Sequence, residues 1–595
     1  MAKLITRQEQ EKQNTWSVDR MFDSDQKWEE AFQALKEDMQ EVLSFQGRLA
    51  EGPDVMAQAL ETIYGLQRRL ENVYVYASMR SDEDTADAHY QDLNMRVSSL
   101  YNQFEALTSF YEPEALALGE DTLEKWSQHE VLEAYRRPLE ELLRRAPHTL
   151  DQEQEQLLAE SAEVRSAAGN AYNLLNNADM RFRSVTHNGE EVEITNSNFV
   201  ALQMSSDRDL REKVYKAFYS SYQEHENTIA SLFQSNIKGS RFMSKARKYP
   251  SNRAMYLAGS NIPEEIYDNL IQTVHDYLPA MHDYVGLRKE VLGYDRLHFH
   301  DVYASLVGSY DKTYTFDEAK ELIIEALKPL GEEYVAIVRS SFEDRWMDIY
   351  PNKGKRSGAY SSGSYDSYPY MLLNFNGTLD SVFTLIHEMG HSVHSYLSHK
   401  NQSYVTAGYK IFVAEVASTC NEALLTHYLL ENTEDPEARK YILNHYMDSF
   451  KSTLYRQTMF AEFERIVHKK VEENVSLTAP VLNDIYRDLN EAYFGPEMVV
   501  DEWIALEWAR IPHFYRPFYV YQYATGFSAA TALSQKILEE GQVAVDAYLK
   551  FLSSGSSHDP IELLEIAGVD MREKEPVAKA LDVFQETIKQ FRELL

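Results

Sequence analysis

The chain has 595 residues, a formal net charge of −35 and a single cysteine, Cys420. The length exceeds what one hydrophobic core normally organises and predicts roughly two to four domains or sub-lobes. So acidic a chain lacks the basic surface that nucleic acids and anionic membranes require, so we expect neither as a partner. One cysteine excludes an intrachain disulfide, which suits a reducing compartment. We find neither an apolar signal segment nor a membrane span, so the expected location is the cytoplasm.

The composition predicts a mainly helical protein. Glycine and proline are scarce, at 23 and 17 residues, which leaves few turn formers for so long a chain. Residues 24–176 fit successive amphipathic helices. Within residues 54–79, apolar side chains recur at helical spacing: Leu60, Ile63, Tyr64, Leu70, Val73 and Tyr76.

Two segments interrupt the helical pattern. Residues 184–199 alternate in polarity around Asn188-Gly189, which predicts a β-hairpin, and helices resume near Ser206. We place a domain boundary near residue 200. Residues 358–376 predict a glycine-containing loop and then a short strand at 369–375.

A helix is expected to begin after that strand, with Asp380 or Ser381 as its cap, and the chain is predominantly helical from there to its end. This helix contains the pattern His-Glu-x-x-His. His387 and His391 are four residues apart and project from one face, a spacing that suits two bonds to zinc. Glu388 lies about 100° round the helix, where it can act as a general base on a metal-bound water.

So short a pattern also arises between two ordinary surface histidines, so a catalytic site requires a third ligand. Glu415 is the best candidate, because a carboxylate in the apolar segment IFVAEVAS needs a partner, which is either a metal or a helix salt bridge. Glu422, seven residues on, can accept a hydrogen bond from a ligating imidazole. His394 competes as third ligand, although one helix would then supply all three.

Residues 511–526 form an aromatic segment, IPHFYRPFYVYQYATG. Hydrolysis of an amide creates an oxyanion, which a phenol or imidazole donor can stabilise. The alternative is that these rings only pack in a core.

Three segments in this order, TLIHEMGHSVHS, FVAEVASTCNE and PHFYRPFYVYQYATG, with KRSGAYSSGS before the strand, resemble the M3 family of zinc metallopeptidases. Within this family, which includes thimet oligopeptidase, the chain is most similar to the oligoendopeptidase F group. The resemblance extends over nearly all 595 residues. It implies a mainly α, two-lobed helical shell around a deep substrate channel, with a small β-sheet next to the HExxH helix. It also implies an N-terminal helical domain at 1–200, like that of oligopeptidase F and ending in the hairpin, and a catalytic domain at 201–595.

The resemblance further implies one zinc ion per chain, held by His387, His391 and Glu415, with Glu388 as general base. His513, Tyr519 and Tyr523 would contact the substrate or the tetrahedral intermediate. Because Tyr515 and Tyr521 lie close by in sequence, the register of these tyrosines stays open.

The expected function is therefore the endopeptidase hydrolysis of short unstructured oligopeptides. Strand residues 370–374 would pair with the substrate backbone. Two alternatives stay open. An exopeptidase would need a charged group such as Arg516 to capture a chain terminus. A peptide-binding scaffold would use its zinc structurally, although a structural site has no need of a base such as Glu388. The sequence does not predict an oligomeric state.

Overall fold

The computed structural model describes residues 4–308 and 312–595. Helices make up most of this part of the chain, which confirms the predicted fold class. The α-helices are α1 (Asp25–Asp38), α2 (Pro53–Glu83), α3 (Ala88–Thr108), α4 (Tyr111–Ala117), α5 (Glu120–Ser127), α6 (Arg136–Arg145), α7 (Gln152–Glu160), α8 (Ala162–Leu174), α9 (Phe199–Gln203), α10 (Arg208–Ala246), α11 (Asn252–Ala258), α12 (Glu264–Asp276), α13 (Leu278–Leu292), α14 (Phe316–Ala326), α15 (Gly331–Glu343), α16 (Leu379–Asn401), α17 (Tyr404–Ala407), α18 (Ile411–Asn432), α19 (Pro436–Ser449), α20 (Arg456–Glu472), α21 (Ala479–Phe494), α22 (Tyr521–Glu540), α23 (Gln542–Leu552), α24 (Pro560–Ile566) and α25 (Glu575–Glu593).

Short strands form three small sheets within the described residues. The strands are β1 (Val185–His187), β2 (Glu190–Val192), β3 (Leu297–His298), β4 (Met347–Asp348), β5 (Tyr360–Ser362), β6 (Tyr370–Leu372) and β7 (Met498–Val499). β1 pairs with β2 in antiparallel fashion, and β3 pairs with β7 in parallel. In the third sheet, β6 lies in the middle, parallel to β4 and antiparallel to β5.

The chain folds into two compact units, each built from separate stretches of sequence. Unit 1 comprises Met1–Thr149, Asp311–Tyr428 and Leu533–Val569, and unit 2 comprises Leu150–Tyr310, Leu429–Ala532 and Asp570–Leu595. The domains predicted from the sequence, 1–200 and 201–595, are each one continuous stretch, so these units do not test that division. It stays a prediction.

Unit 1 contains the helix with the His-Glu-x-x-His pattern. Its N-terminal core forms where α1, α2 and α3 bury apolar faces against one another, with Trp28, Leu70 and Val97 fully buried. The sheet β4–β6–β5 lies against α16, which confirms the expected small sheet beside this helix. The Asp348 carboxylate on β4 pairs with Lys355 at 2.6 Å and with Arg7 at 2.6 Å, which compensates its burial.

Unit 2 is organised around α10, a helix of 39 residues. Asp207 caps this helix by accepting a hydrogen bond from the backbone N–H of Leu210 at 3.2 Å, close to the start predicted near Ser206. The aromatic face of α10 packs on α9, where the Phe199 and Phe218 rings stack at 3.8 Å. None of the helices in the described ranges is both long and apolar enough to cross a bilayer.

The predicted hairpin is confirmed. Asn188 and Gly189 form its turn with φ angles of 51° and 84°, the left-handed conformations that a two-residue hairpin loop requires. The helix predicted over 54–79 is also confirmed as α2, and the apolar residues named there are buried apart from the half-buried Tyr64.

Two details around the strand before α16 differ from the sequence prediction. The glycine-containing loop predicted between residue 358 and the strand at 369–375 contains a strand of its own, β5, and β6 is shorter than the expected 369–375. The cap of α16 is Thr378, whose hydroxyl accepts a hydrogen bond from the N–H of Ser381 at 3.2 Å, rather than Asp380 or Ser381. Ser381 instead hydrogen-bonds through its hydroxyl to Asn376 and Thr378, which leaves it inside the first turn.

Candidate active site

Helix α16 places His387 and His391 one turn apart in unit 1. Their ring centroids are 4.9 Å apart, and the ring planes are inclined at 80°. Glu388 lies between them in sequence and is only 8% exposed. Apolar side chains of α16 such as Ile386 and Met389 are fully buried, which orients the helix so that both imidazoles project from one side.

Glu415 on α18 meets both imidazoles. One carboxylate oxygen, Oε2, lies 3.4 Å from Nε2 of His387 and 3.6 Å from Nε2 of His391. The three residues offer one ligand atom each, and all three atoms fall within 4.8 Å of one another. His394 is not part of this group: it is 1% exposed, and its ring stacks on Tyr409 at 3.8 Å.

This convergence depends on a close approach of α16 and α18 at Gly390. A Cβ atom at residue 390 would lie 2.5 Å from the Cα of Ser418 and 2.7 Å from the carbonyl oxygen of Ala417. Both are backbone atoms, so they cannot move aside as a side chain would. Glycine at this position therefore allows the helix bearing Glu415 to lie directly against the helix bearing the histidines.

Two residues of α18 contact α16 at and next to His387 and hold this histidine in place. Glu422 hydrogen-bonds through Oε1 to Nδ1 of His387, the contact expected from the sequence. Asn421 is fully buried, donates to the carbonyl of Ile386 at 3.4 Å and accepts from the hydroxyl of Tyr334 at 3.0 Å. A carboxylate on the far nitrogen orients an imidazole and raises its basicity as a ligand. The roles of Asn421 and Gly390 are not evident from the sequence, because they depend on the packing of α18 on α16.

The protonation states suit a cation. Burial opposes ionisation of Glu415, but hydrogen bonding to His387 and the nearby histidine charges lower its pKa to about 2. Burial and the neighbouring His387 lower the pKa of His391 to about 4, so its imidazole is neutral at pH 7. Burial also disfavours the charged form of His387, yet the carboxylates of Glu415 and Glu422 raise its pKa well above the usual value. A proton and a metal ion therefore compete for this histidine.

Glu388 has a different environment from the other carboxylates. Burial raises its pKa to about 7, with the charge of Glu415 adding to this effect, although His387 and the backbone of Ser361 partly oppose it. A carboxyl group with a pKa close to neutrality can both take up and release a proton, as general acid–base catalysis requires.

The donor set fits zinc. Two imidazole nitrogens and one carboxylate oxygen are the ligands of a catalytic zinc site, which also keeps one position open. Glu422 behind His387 and Glu388 beside the ligands complete the arrangement that such sites use for ligand orientation and proton transfer.

The aromatic segment lies in unit 2, and it brings His513, Tyr519 and Tyr523 together. The ring centroids of Tyr519 and Tyr523 are 5.5 Å apart, and His513 lies 6.5 Å from Tyr519 and 6.3 Å from Tyr523. His513 is exposed, and both tyrosines are half-buried. Burial and the charge of Arg516 lower the pKa of His513, which favours its neutral form.

The two competing tyrosines are placed differently. Tyr515 stacks on Tyr172 at 4.2 Å, and Tyr521 is 2% exposed with its ring 5.0 Å from Tyr267. Both therefore pack in the interior of unit 2, as the core-packing alternative expected of this segment. The roles of His513, Tyr519 and Tyr523 in contacting substrate stay a prediction.

A buried acid supports the turn before Tyr519. Phe518 has a φ angle of 56°, which a residue with a side chain rarely adopts, and its N–H donates to Oε1 of Glu464 at 2.9 Å. Glu464 is 1% exposed, and burial raises its pKa to about 8. No sequence pattern pairs Glu464 with a residue 54 positions later, so this contact could not be predicted from the sequence.

Two family models match the chain. Residues 201–583 match the model for peptidase family M3, and residues 114–182 match the model for oligopeptidase F. The first match alone covers more than half of the chain.

Relatives and solved structures agree with these matches. The chain is 45% identical over 594 residues to oligopeptidase PepF of Bacillus subtilis, covering 100% of this chain and 89% of that one. A putative peptidase from Chlamydophila abortus superimposes with a TM-score of 0.94 at 34% identity, covering 100% of both chains. Oligoendopeptidase-F from Enterococcus faecium gives a TM-score of 0.75 at 39% identity, covering 96% and 99% of the two chains. This chain belongs to peptidase family M3 and is a metalloendopeptidase.

Proposed function

We propose that this protein is a zinc-dependent endopeptidase that hydrolyses short unstructured oligopeptides. One zinc ion per chain would be held by His387, His391 and Glu415. The convergence of these three side chains from α16 and α18 is the observation that supports the proposal most strongly. The names of the relatives, which are oligopeptidases and oligoendopeptidases, support the substrate class.

When bound, zinc supplies Lewis acidity that polarises the scissile carbonyl and acidifies a water molecule. Glu388 takes the proton from the attacking water and passes it to the leaving amine, as its pKa of about 7 permits. Glu422 holds His387 in a single orientation throughout. His513, Tyr519 and Tyr523 are the donors that we assign to the developing oxyanion.

A substrate backbone can pair only with a strand at the edge of a sheet. The strand that we assign to this pairing therefore differs from the one expected from the sequence. Residues 370–374 were expected to pair with substrate, but β6 is hydrogen-bonded on one side to β4 and on the other to β5. A strand with two neighbours has no edge to offer. We therefore assign peptide pairing to β5, an edge strand of this sheet that lies against α16.

We also propose a cytoplasmic location. The single cysteine, Cys420, is buried in unit 1 as a free thiol, which suits a reducing compartment.

The substitution Glu388→Gln tests the mechanism directly. It keeps the size of the side chain but removes the proton acceptor, so we expect turnover of an internally quenched peptide to fall about 10²- to 10⁴-fold. Zinc content should stay at one per chain, because Glu388 is not a ligand. Glu333→Gln, at an exposed carboxylate on α15 of the same unit, serves as the control and should leave turnover unchanged. Near wild-type turnover in Glu388→Gln would remove Glu388 from the mechanism.

A further inference from the structure

Unit 2 contains a cavity of about 320 Å³ that the proposed function does not use. None of its lining residues belongs to the metal group or to the aromatic cluster of His513, Tyr519 and Tyr523. Aromatic side chains form part of its walls, among them Tyr215, Tyr219, Phe299 and Phe494. Its volume lies at the lower end of the range of small-molecule sites.

Two carboxylates line the cavity, Glu507 and Asp448, and each is paired with two cations, of which only Arg456 and Lys451 also line the cavity. Glu507 is 5% exposed and pairs with Arg456 at 2.5 Å and with Arg510 at 2.9 Å. Arg456 also donates to the hydroxyl of Tyr303 at 2.8 Å. Burial disfavours ionisation of Tyr303, yet the two guanidinium groups lower its pKa, as a local excess of positive charge should.

The same ratio recurs around Asp448. This carboxylate lies 2.6 Å from Nζ of Lys451 and 3.9 Å from Nη1 of Arg288. Both cations are largely buried, at 8% and 2% exposure. Burial lowers the pKa of Lys451, and the charge of Arg288 adds to this effect.

Taken together, four cations share two carboxylates, in a chain whose net charge is −35; two of these cations line the cavity, and the other two contact its carboxylates without lining it. Buried charges are normally paired, because an unpaired charge in a low-dielectric interior is strongly destabilising. The excess at this place therefore favours an additional anionic group.

An irregular helical segment brings Lys451 to the cavity. Between α19 and α20 the chain forms a π-helix at Phe450–Tyr455, and Lys451 and Ser452 from this segment line the cavity. π-Helical segments are rare and occur frequently at functional sites. Arg456 follows at the first position of α20, so cations from both sides of the junction reach the same space.

We infer that this cavity binds a small carboxylic acid with an apolar body. Its carboxylate would lie beside Arg456 and Lys451, and its body would lie against the aromatic walls. Arginine suits a carboxylate because its planar N–H groups match the two oxygens. The aromatic part of the wall disfavours a strongly hydrated ion such as phosphate. The acid can be the C-terminus of a short peptide or a free organic acid, since both carry the same chemistry.

Isothermal titration of the zinc-loaded enzyme with four probes tests this inference. The probes are 3-phenylpropionate, its neutral amide, the dipeptide Gly-Phe and the amidated dipeptide. We expect each acid to bind at least about tenfold more tightly than its amide, as for the loss of one charge-assisted contact. Tighter binding of Gly-Phe would assign the site to peptide ends, and tighter binding of 3-phenylpropionate would assign it to organic acids.

Arg456→Met separates this cavity from the metal centre, where a carboxylate could also bind. Glu507 keeps Arg510 as its partner in this variant, so we expect the fold to persist and the affinity for both acids to fall at least about tenfold. Lys451→Met, which leaves Arg288 beside Asp448, is the second variant. Arg253→Met is the control, because Arg253 is similarly exposed, at 19% against 22%, and does not line the cavity.

Acids and amides that bind equally well would overturn the inference. An affinity for the acids that is unchanged in both Arg456→Met and Lys451→Met would also overturn it. A loss of affinity in the control Arg253→Met as large as in these two variants would do the same. These results are independent of peptide hydrolysis, because Glu388→Gln should bind the acids as the wild type does.

Discussion

Three carboxylates lie around the histidines of α16, and each has a different environment. Glu415 contacts both imidazoles and is held ionised, Glu422 binds the far side of His387, and Glu388 is buried with a raised pKa. Environment rather than residue type therefore distinguishes the roles that we propose for them, which are ligand, orienting group and proton carrier. The sequence pointed to Glu388 and Glu422 by helical spacing, and to Glu415 by its apolar surroundings and the family resemblance. It could not predict the pKa differences, because these depend on burial by other elements.

At this scale, Glu422 provides a test that leaves the three proposed ligand side chains in place. Glu422→Ala removes the acceptor on Nδ1 of His387, so we expect zinc affinity to fall about 10- to 100-fold. Glu422→Gln keeps an acceptor without its charge and should fall between this variant and the wild type. Competition with a chromogenic chelator measures the affinity, and Glu333→Gln is the control. Equal affinities in all four proteins would show that the contact has no effect on metal binding.

The pairing of α16 with α18 is the element on which the site depends. Gly390→Ala places a methyl group within 2.7 Å of the backbone of α18. We expect the helices to be forced apart, with a loss of about 1–3 kcal/mol in unfolding free energy that exceeds the gain in helix propensity, and with weaker zinc binding. Thermal unfolding and the chelator competition measure these two effects.

Gly239→Ala is the matched control for this substitution. Gly239 lies inside α10, and a Cβ there would meet no atom within 4 Å. The same change of residue should therefore be neutral or stabilising at position 239. A stable Gly390→Ala protein with wild-type zinc affinity would contradict the close-approach argument.

The buried acid on α20 gives a pH-dependent prediction. The pKa of Glu464 is raised from 4.5 to about 8, so the folded state holds a proton that the unfolded chain releases above pH 4.5. This contribution to stability is fully present below pH 4.5 and is lost as the pH rises through about 8. Glu464→Gln retains an acceptor for the N–H of Phe518 and cannot ionise.

We therefore expect Glu464→Gln to become more stable relative to the wild type as the pH increases. The difference between pH 5.5 and pH 8.5 should exceed about 1 kcal/mol, the equivalent of roughly one pKa unit. Denaturant titrations of both proteins at the two pH values measure it. A stability difference that does not change with pH would show that Glu464 is ionised in the folded protein.

Among the elements, the sequence predicted those with strong local signals. The Asn188-Gly189 turn and the periodic helix α2 belong to this group. It missed β5, because a three-residue strand in a glycine- and serine-rich segment has no distinctive pattern and is defined by pairing with β6. It placed the cap of α16 two or three residues late, because Asp380 and Ser381 are equally good capping residues by composition.

For the whole molecule, composition predicted a mainly helical chain, and the family resemblance predicted two lobes. The sequence could not predict that each compact unit combines three separate stretches, because this depends on contacts between distant residues. The metal group belongs to unit 1 and the aromatic cluster to unit 2, and their joint action on a substrate stays a prediction.

The zinc K-edge X-ray absorption spectrum of the purified enzyme tests the central claim most directly. We predict one zinc per chain, coordinated by two imidazole nitrogens at about 2.0–2.1 Å and by carboxylate oxygen. His391→Ala should lose one imidazole from the spectrum, and Glu415→Ala should lose the carboxylate. A spectrum with fewer than two imidazoles in the wild type, or one unchanged by both substitutions, would contradict the assignment of His387, His391 and Glu415 as the ligands.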